Sequence, residues 1–125
     1  MRNRRLTELI LKTFADEDKK MILDFMVAKP ETIPRTLVLC SIPNTSGYRK
    51  MRQLIDNGFV VSTGLVETFE GRRTLLYKSI IQKIQIIIDK GEISTRITVP
   101  SEVLNSSIIV KTIVEVSQGR RRLAN

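Results

Sequence analysis

The sequence predicts an α+β fold in which helices come first and two β-hairpins follow. Up to residue 57, apolar residues recur at the three- and four-residue spacing of amphipathic helices. Beyond it, apolar residues alternate around glycine-containing turns, as in strands. Hydrophobic residues make up 42% of the 125 residues. That content and length predict a single packed domain with an extension.

The first two helices are predicted from their apolar faces and their ends. A first helix over residues 4–14 has one face made of Leu6, Leu9, Ile10 and Phe14. The acidic run 16–18 begins the second helix, because negative charge is favourable beside the positive end of a helix dipole. Its apolar face contains Met21, Ile22, Phe25 and Met26. Pro30 ends this helix after Lys29.

Two shorter helices are predicted next. Thr32 caps the third, with Pro34 in its first turn. Its expected core face is Leu37, Val38 and Cys40. Pro43 opens the fourth helix, which runs to about Asn57 and stops at a left-handed Gly58. One side of this helix carries Gly47, Met51, Leu54 and Ile55, with Tyr48 at the border.

The strands are predicted as two hairpins followed by an ambiguous segment. The first pairs residues 59–69 with 72–78 around Glu70-Gly71. The second turns at residues 89–92, and its alternating positions carry Ile84, Ile86, Ile88, Ile93, Ile97 and Val99. Residues 103–116 favour a helix because Ser101 can cap it, whereas the β-branched residues in 108–116 favour a strand. We prefer the helix, and we expect residues 118–125 to be a disordered basic tail.

The net charge of +8 is unevenly distributed. Residues 1–15, 42–78 and 118–125 each carry +3, whereas 16–41 carry −1 and 79–117 carry none. This distribution favours a polyanionic partner, the alternative being a solvated basic surface.

Several classes of site are disfavoured by composition. The chain has one cysteine and no histidine. From this composition we expect no internal disulfide, no metal site and no catalytic group that depends on histidine. We therefore expect neither enzymatic activity nor a cofactor. Charges within residues 1–14 argue against a secretory signal, and no apolar run approaches the length of a membrane span. The expected location is the cytoplasm, without membrane contact.

A basic helix followed at once by a basic hairpin is the layout of a winged helix-turn-helix. The fourth helix contains Ile42, Pro43, Tyr48 and Arg49 in the order I-P-x-x-x-x-Y-R. Its end reads L-x-x-x-G-F-V, and the hairpin reads G-R-x-x-x-x-Y from Gly71 to Tyr77. Residues 16–78 thereby resemble the winged helix domain of transcription regulators in the broad ArsR/MarR-like group, in particular archaeal ones. Metal sensing by Cys and His clusters in that group does not carry over to a chain with only Cys40.

The resemblance and the residue types predict a double-stranded DNA interface. The recognition helix 43–57 is expected in the major groove and the wing 69–74 on the minor groove or backbone. The expected contacts are Asn44, Thr45, Ser46, Arg49, Lys50, Arg52, Arg72 and Arg73. The alternatives are an ordinary amphipathic surface helix and a solvated turn. Cys40 is expected to be a buried core thiol rather than a redox switch.

The predicted organisation is a winged helix domain at 1–78, an extension at 79–117 and the tail. The isoleucine-rich hairpin and the first helix each expose an apolar stripe without an assigned partner, so we expect a homodimer. The predicted function is a sequence-specific, dimeric DNA-binding transcription regulator. Two alternatives are open: a winged helix used for protein contacts in transcription or chromatin machinery, and a nonspecific architectural DNA binder.

Overall fold

A computed structural model describes residues 4–99, which form an α+β fold of four helices and two antiparallel two-stranded sheets. The helices are α1 (Arg4–Ala15), α2 (Glu17–Ala28), α3 (Ile33–Leu39) and α4 (Asn44–Asp56). The strands are β1 (Val60–Glu67), β2 (Arg73–Ser79), β3 (Lys83–Asp89) and β4 (Glu92–Thr98). The predicted α+β class and the order of these elements are confirmed. The predictions for residues 101–125 lie outside the described residues.

The helix boundaries follow from local capping. The Asp16 side chain accepts a hydrogen bond from the Lys19 N–H at 3.1 Å, which satisfies a free donor at the start of α2. Thr32 does the same for the Arg35 N–H at 3.4 Å at the start of α3. Beyond the end of α4, Gly58 has φ of 82°, a conformation that costs glycine little. The predicted acidic start of α2, the Thr32 cap of α3 and the left-handed stop at Gly58 are therefore confirmed.

Helix α2 lies at the centre of the fold, where it contacts α1, α3, α4 and β2. Its inner face buries Ile22, Leu23 and Met26. These side chains join a core that also contains Leu37 of α3, Met51 and Leu54 of α4, Phe59, and Ile80 beyond β2. Burial of this apolar surface is the main force that holds the helices and the first hairpin together.

Helix α1 packs its apolar stripe against the same core. Ile10 is completely buried, and Leu6, Leu9 and Phe14 pack around it. The Phe14 ring meets Phe59 edge to face, with centroids 6.5 Å apart. Helix α1 also contacts β4, where the Thr7 and Thr95 hydroxyl oxygens are 3.5 Å apart. The stripe thus has a partner within its own chain and requires no second subunit.

One core assignment in α3 is wrong. Val38, which the spacing placed with Leu37 and Cys40, is 73% exposed. This seven-residue helix buries Thr36 and Leu37, and Cys40 at its C-terminal cap is buried too, a spacing of three and four residues. Val38 therefore falls on the opposite side of the helix.

The first hairpin is tied to the helices at its base. Strands β1 and β2 pair in antiparallel register, with an irregularity between Ser62 and Gly64. On the other edge of β2, Tyr77 exchanges two backbone hydrogen bonds with Glu31, at 2.8 and 2.9 Å. The segment between α2 and α3 is therefore attached to the edge of β2 by a bridge of a single residue. Sequence alternation cannot predict a pairing of one residue.

The second hairpin has the two-residue turn that its sequence predicted. Strands β3 and β4 pair from Lys83–Thr98 to Asp89–Glu92. Lys90 and Gly91 between them both have positive φ, 51° and 78°, as hairpin turns of this length require. No helix within residues 4–99 is long and apolar enough to cross a membrane.

Candidate functional site

Helix α4 presents a polar face to solvent. Gly47, Met51 and Leu54 anchor its opposite face in the core. The exposed positions recur at helical spacing and comprise Asn44, Thr45, Tyr48, Arg49, Arg52 and Asp56. Arg52 and Thr45 lie near the centre of this face, flanked by Arg49. Neither arginine forms an ion pair with another residue of 4–99, so both guanidinium groups are available to a ligand.

The start of α4 is held close to α3 by a glycine. A methyl group added at Gly47 would come within 2.7 and 2.9 Å of the two Leu37 δ-carbons and 3.2 Å of Ile42 Cγ2. The Gly47 N–H also donates to the Pro43 carbonyl at 2.7 Å. This close approach sets the orientation of Asn44, Thr45 and Ser46 relative to the core. Ser46 is half-buried, and its hydroxyl lies 3.5 Å from the Pro43 carbonyl.

Lys50, a predicted DNA contact, turns toward α2 instead of the exposed face. Its ammonium lies 3.2 Å from the Asp16 carboxylate and 2.9 Å from Asp18. Its side chain is only 16% exposed. The hydrogen bond to Asp18 raises the pKa of Lys50 against the effect of burial, with Asp16 adding to the rise. This charge is compensated within the chain, which distinguishes Lys50 from Arg49 and Arg52.

Asp16 serves both the cap of α2 and this ion pair. Burial alone would raise the pKa of Asp16, but the Lys19 N–H bond and the Lys50 ammonium outweigh it and lower that pKa. The two aspartates therefore join the start of α2 to the middle of α4. Three consecutive acidic residues are common at the start of a helix. The sequence therefore does not predict that two of them form ion pairs with Lys50 of α4.

Lys19 is a cation of this region that the sequence analysis missed. Burial lowers its pKa; attraction to Asp16 opposes this, whereas repulsion from Arg49 and Lys50 adds to the lowering. Lys19 is thus close enough to Arg49 for their charges to interact, although 30 positions separate them in the printed sequence. In the sequence, Lys19 follows three acidic residues, so the net charge of its segment is negative and gives no sign of a cationic surface there.

The tip of the β1–β2 hairpin is a well-ordered loop. The Thr68 N–H donates to the Arg72 carbonyl at 2.7 Å, and the Arg72 N–H donates to the Thr68 hydroxyl at 3.2 Å. The Gly71 N–H donates to the Thr68 carbonyl at 2.9 Å, and Gly71 has φ of 77°. Three hydrogen bonds to one residue hold Phe69 and Glu70 at the end of the hairpin.

The charges at this tip are mixed. Arg72 and Arg73, both predicted DNA contacts, are exposed. The Arg72 guanidinium lies 4.0 Å from Glu70, and both side chains are more than three-quarters exposed. Arg73 pairs across the strands with Glu67. An exposed pair at such a distance contributes little energy, so a phosphate can replace the carboxylate.

An open groove separates the hairpin tip from the first turn of α3. Its volume is about 510 Å³. The lining residues are Thr32, Pro34, Arg35, Thr68, Phe69, Glu70, Arg72, Arg73 and Thr74. Arg35 also bonds Glu31 at 2.9 Å while remaining 62% exposed. Three arginines and Glu70 line this groove, and the Glu31 carboxylate that bonds Arg35 offsets part of their positive charge.

The Cys40 thiol belongs to the core. It is 8% exposed, and burial, aided by the charge of Asp18, raises its pKa. A raised pKa keeps the thiol protonated at neutral pH and therefore unreactive. Within residues 4–99, no three Cys, Asp or Glu side chains are grouped as they would be to hold a metal ion.

The candidate site therefore consists of two exposed surfaces that carry arginines, the outer face of α4 and the tip of the first hairpin, with Lys50 withdrawn from the former. Comparison of the chain with protein-family models, curated proteins and solved structures gave no match.

Proposed function

We propose that this chain is a sequence-specific transcription regulator that binds double-stranded DNA through a winged helix-turn-helix. Helix α4 lies in the major groove, and the β1–β2 hairpin is the wing on the minor groove or backbone. The observation that carries the proposal is the outer face of α4, where Arg49 and Arg52 are exposed and form no ion pair with a carboxylate of residues 4–99. A helix of this kind fits the major groove, and arginine bonds both acceptors of guanine.

The attachment of the hairpin supports the same proposal. Gly58 links α4 to β1 through a sharp turn, and the Glu31–Tyr77 bridge holds β2 against the helices. A projecting hairpin anchored at its base can act as a wing whose position relative to α4 is constant. Asn44 and Thr45 at the start of α4 add donors and acceptors for base edges or phosphates.

We further propose that the protein acts as a homodimer in the cytoplasm, without a metal, a cofactor or an enzymatic activity. The support for the dimer is the distal end of the second hairpin, where Ile86, Ile88 and Ile93 are 42%, 70% and 37% exposed. Cross-strand pairing places these three side chains on one face. Two copies joined there would present two α4 helices to two half-sites.

The direct test is binding of the full chain to a pool of random-sequence duplexes. Repeated selection followed by fluorescence anisotropy should yield a preferred site, bound at least about a thousandfold more tightly than random DNA. Similar affinity for every duplex would instead indicate an architectural DNA binder. A complete lack of binding even at low salt would refute the proposal.

A second candidate function is a protein-contact role for the same fold. The Leu65–Leu75 pair on the first hairpin is 57% and 43% exposed, and an apolar surface of this kind suits a protein partner. Substitution of Leu65 by serine discriminates between the two functions. The variant should keep DNA affinity if α4 and the arginines are the binding surface.

A further inference from the structure

The aromatic side chain at the tip of the first hairpin has no cover within residues 4–99. Phe69 has a relative exposure of 112%, which means that it is as accessible as in an extended peptide. Phenylalanine is among the residues most often buried, and exposure of its ring to water costs free energy. Single exposed apolar residues are common, and Phe69 differs from them in its location.

Phe69 lies at the tip of the first hairpin. Val60 and Val61 at the base of β1 are buried, whereas every residue from Ser62 to Arg73 is exposed. At the rise of an extended strand, about 25 Å of strand separates the tip from this base. The loop is also preorganised, because three hydrogen bonds to Thr68 hold its backbone. Phe69 is therefore presented by a defined loop before any partner arrives.

The groove beside Phe69 favours one class of partner. Its lining includes Arg35, Arg72, Arg73 and Glu70. Arg35 and Arg72 are paired with Glu31 and Glu70, but both arginine side chains remain more than half exposed. An aromatic ring next to a cationic groove matches a nucleic acid, which offers phosphates outside and stacked bases inside. The minor groove is about 6 Å wide and 7.5 Å deep, dimensions that admit one side chain from a hairpin tip.

We propose that this groove holds the sugar–phosphate backbone of one DNA strand and that Phe69 enters the minor groove as an apolar wedge. The inference rests on the proposed DNA-binding function and adds a specific deformation to it. The ring partly separates two stacked base pairs and kinks the duplex toward the major groove, by an angle on the order of 20–90°. Preference for flexible pyrimidine–purine steps follows, because such steps separate most easily.

Affinity alone is a poor readout of a wedge. Burial of the ring favours binding, whereas separation of the base pairs costs a comparable amount. We therefore expect Phe69→Ala to weaken binding by no more than about tenfold. Shape changes in the DNA are the decisive observable.

The test measures bending and unstacking on a duplex selected by the wild-type protein. Energy transfer between dyes at the two ends reports the bend, and 2-aminopurine placed in turn at each adenine reports unstacking. The wild-type protein should shorten the end-to-end distance and brighten one adenine position. Phe69→Ala should lose most of both signals, whereas Phe69→Leu, which retains an apolar wedge, should keep them.

Leu65→Ala is the matched control, since it removes an exposed apolar side chain from the stem of the same hairpin. It should leave the bend unchanged. Equal bending by wild type and Phe69→Ala would overturn the wedge while leaving the DNA-binding proposal intact. Should Phe69→Ala abolish binding, the wild-type 2-aminopurine signal decides: no brightened position means no wedge. Absence of DNA binding by the wild-type protein would instead refute the proposed function itself.

Discussion

Neighbouring cations on one helix have different surroundings, and this difference governs what each can do. Arg49 and Arg52 point outward from α4, whereas Lys50 is bound between Asp16 and Asp18. A compensated lysine must give up two carboxylates before it meets a phosphate. An unpaired arginine pays no such cost. We therefore expect Arg49 and Arg52 to contribute to binding and Lys50 to contribute to the stability of the fold.

Replacing Arg49 with alanine should weaken binding to the preferred DNA site by about 1–3 kcal/mol while nonspecific binding is largely retained. The reason is its exposed position in the first half of α4. Anisotropy titrations on the selected and a random duplex provide the measurement. Arg96→Ala, on the second hairpin, is the control with the same loss of charge. Equal losses on both duplexes would make Arg49 a phosphate contact and not a reader of bases.

Replacing Lys50 with methionine should destabilise the protein by up to about 1 kcal/mol near neutral pH, because two partly exposed ion pairs are lost. The pKa of Asp16 in the folded protein is lowered from its ordinary value of 3.8. Its contribution to the free energy of unfolding is therefore present above pH 3.8 and is lost as the pH falls through the lower pKa of the folded state. The pKa of Lys50 in the folded protein is raised from its ordinary value of 10.5. Its contribution to the free energy of unfolding is therefore complete below pH 10.5 and is lost as the pH rises through the higher pKa of the folded state.

Urea unfolding of wild type and Lys50→Met at about pH 7 and about pH 3 tests this dependence. The difference in unfolding free energy should be larger at neutral pH than at acid pH. A difference that does not change with pH would show that Lys50 contributes only through packing.

Replacing Gly47 with valine should destabilise the fold by about 1–3 kcal/mol, because the added atoms overlap the buried Leu37 side chain. Chemical denaturation provides the measurement. Thr45→Val introduces the same residue on the exposed face of the same helix and should change stability by less than about 0.5 kcal/mol. Similar stability of both variants would mean that α3 can move away from α4 without cost.

At the scale of elements, the first hairpin combines a rigid base with an exposed tip. Its base is buried and bridged to Glu31, while Thr68 orders the loop at the other end. Two arginines at the tip face glutamates only loosely. The hairpin is therefore suited to contact a polyanion at a constant distance from the core.

Replacing Arg72 and Arg73 together with alanine should weaken DNA binding and flatten its salt dependence by up to about two phosphate contacts. The slope of log affinity against log salt concentration is the observable. Lys83→Ala combined with Arg96→Ala removes two charges from the other hairpin and should leave the slope nearly unchanged. A normal slope for the Arg72 and Arg73 variant would exclude the tip from the interface.

At the scale of the whole molecule, the apolar surfaces divide into satisfied and unsatisfied ones. The α1 stripe is covered by the core and by β4. The base of the second hairpin is covered too, since Ile84 and Ile97 pack against that core. Its far end, with Ile88 and Ile93, remains exposed. Self-association, if it occurs through the described residues, is therefore expected at this end and not at α1.

Replacing Ile88 with lysine should dissociate the proposed dimer and lower DNA affinity, because a monomer binds only one half-site. Light scattering should show twice 14.3 kDa for the wild type and 14.3 kDa for the variant at micromolar concentration. Ile87→Lys is the control, since Ile87 lies on the opposite face of the same strand and is 49% exposed. A wild-type mass of 14.3 kDa would show that the protein is a monomer.

What the sequence determined by itself is the local structure. Asp16, Thr32 and Gly58 set helix boundaries because a cap or a left-handed residue acts through its immediate neighbours. The turn at Lys90-Gly91 sets the register of the second hairpin in the same way. The exposed positions of the candidate site, including Arg49 and Arg72, were predictable because helix period and turn position are local properties as well.

What only the tertiary structure decided is which of these elements meet. The ion pairs of Lys50 join residues more than 30 positions apart, and the Glu31–Tyr77 bridge joins residues 46 apart. Val38 is exposed because α3 is short and has apolar residues on two sides. Only the packing of its neighbours decides which of the two sides is buried. The apolar stripe of α1 packs within its own chain for the same reason. A sequence pattern predicts that an apolar surface is buried, but any complementary surface can bury it, so the pattern does not predict which one does.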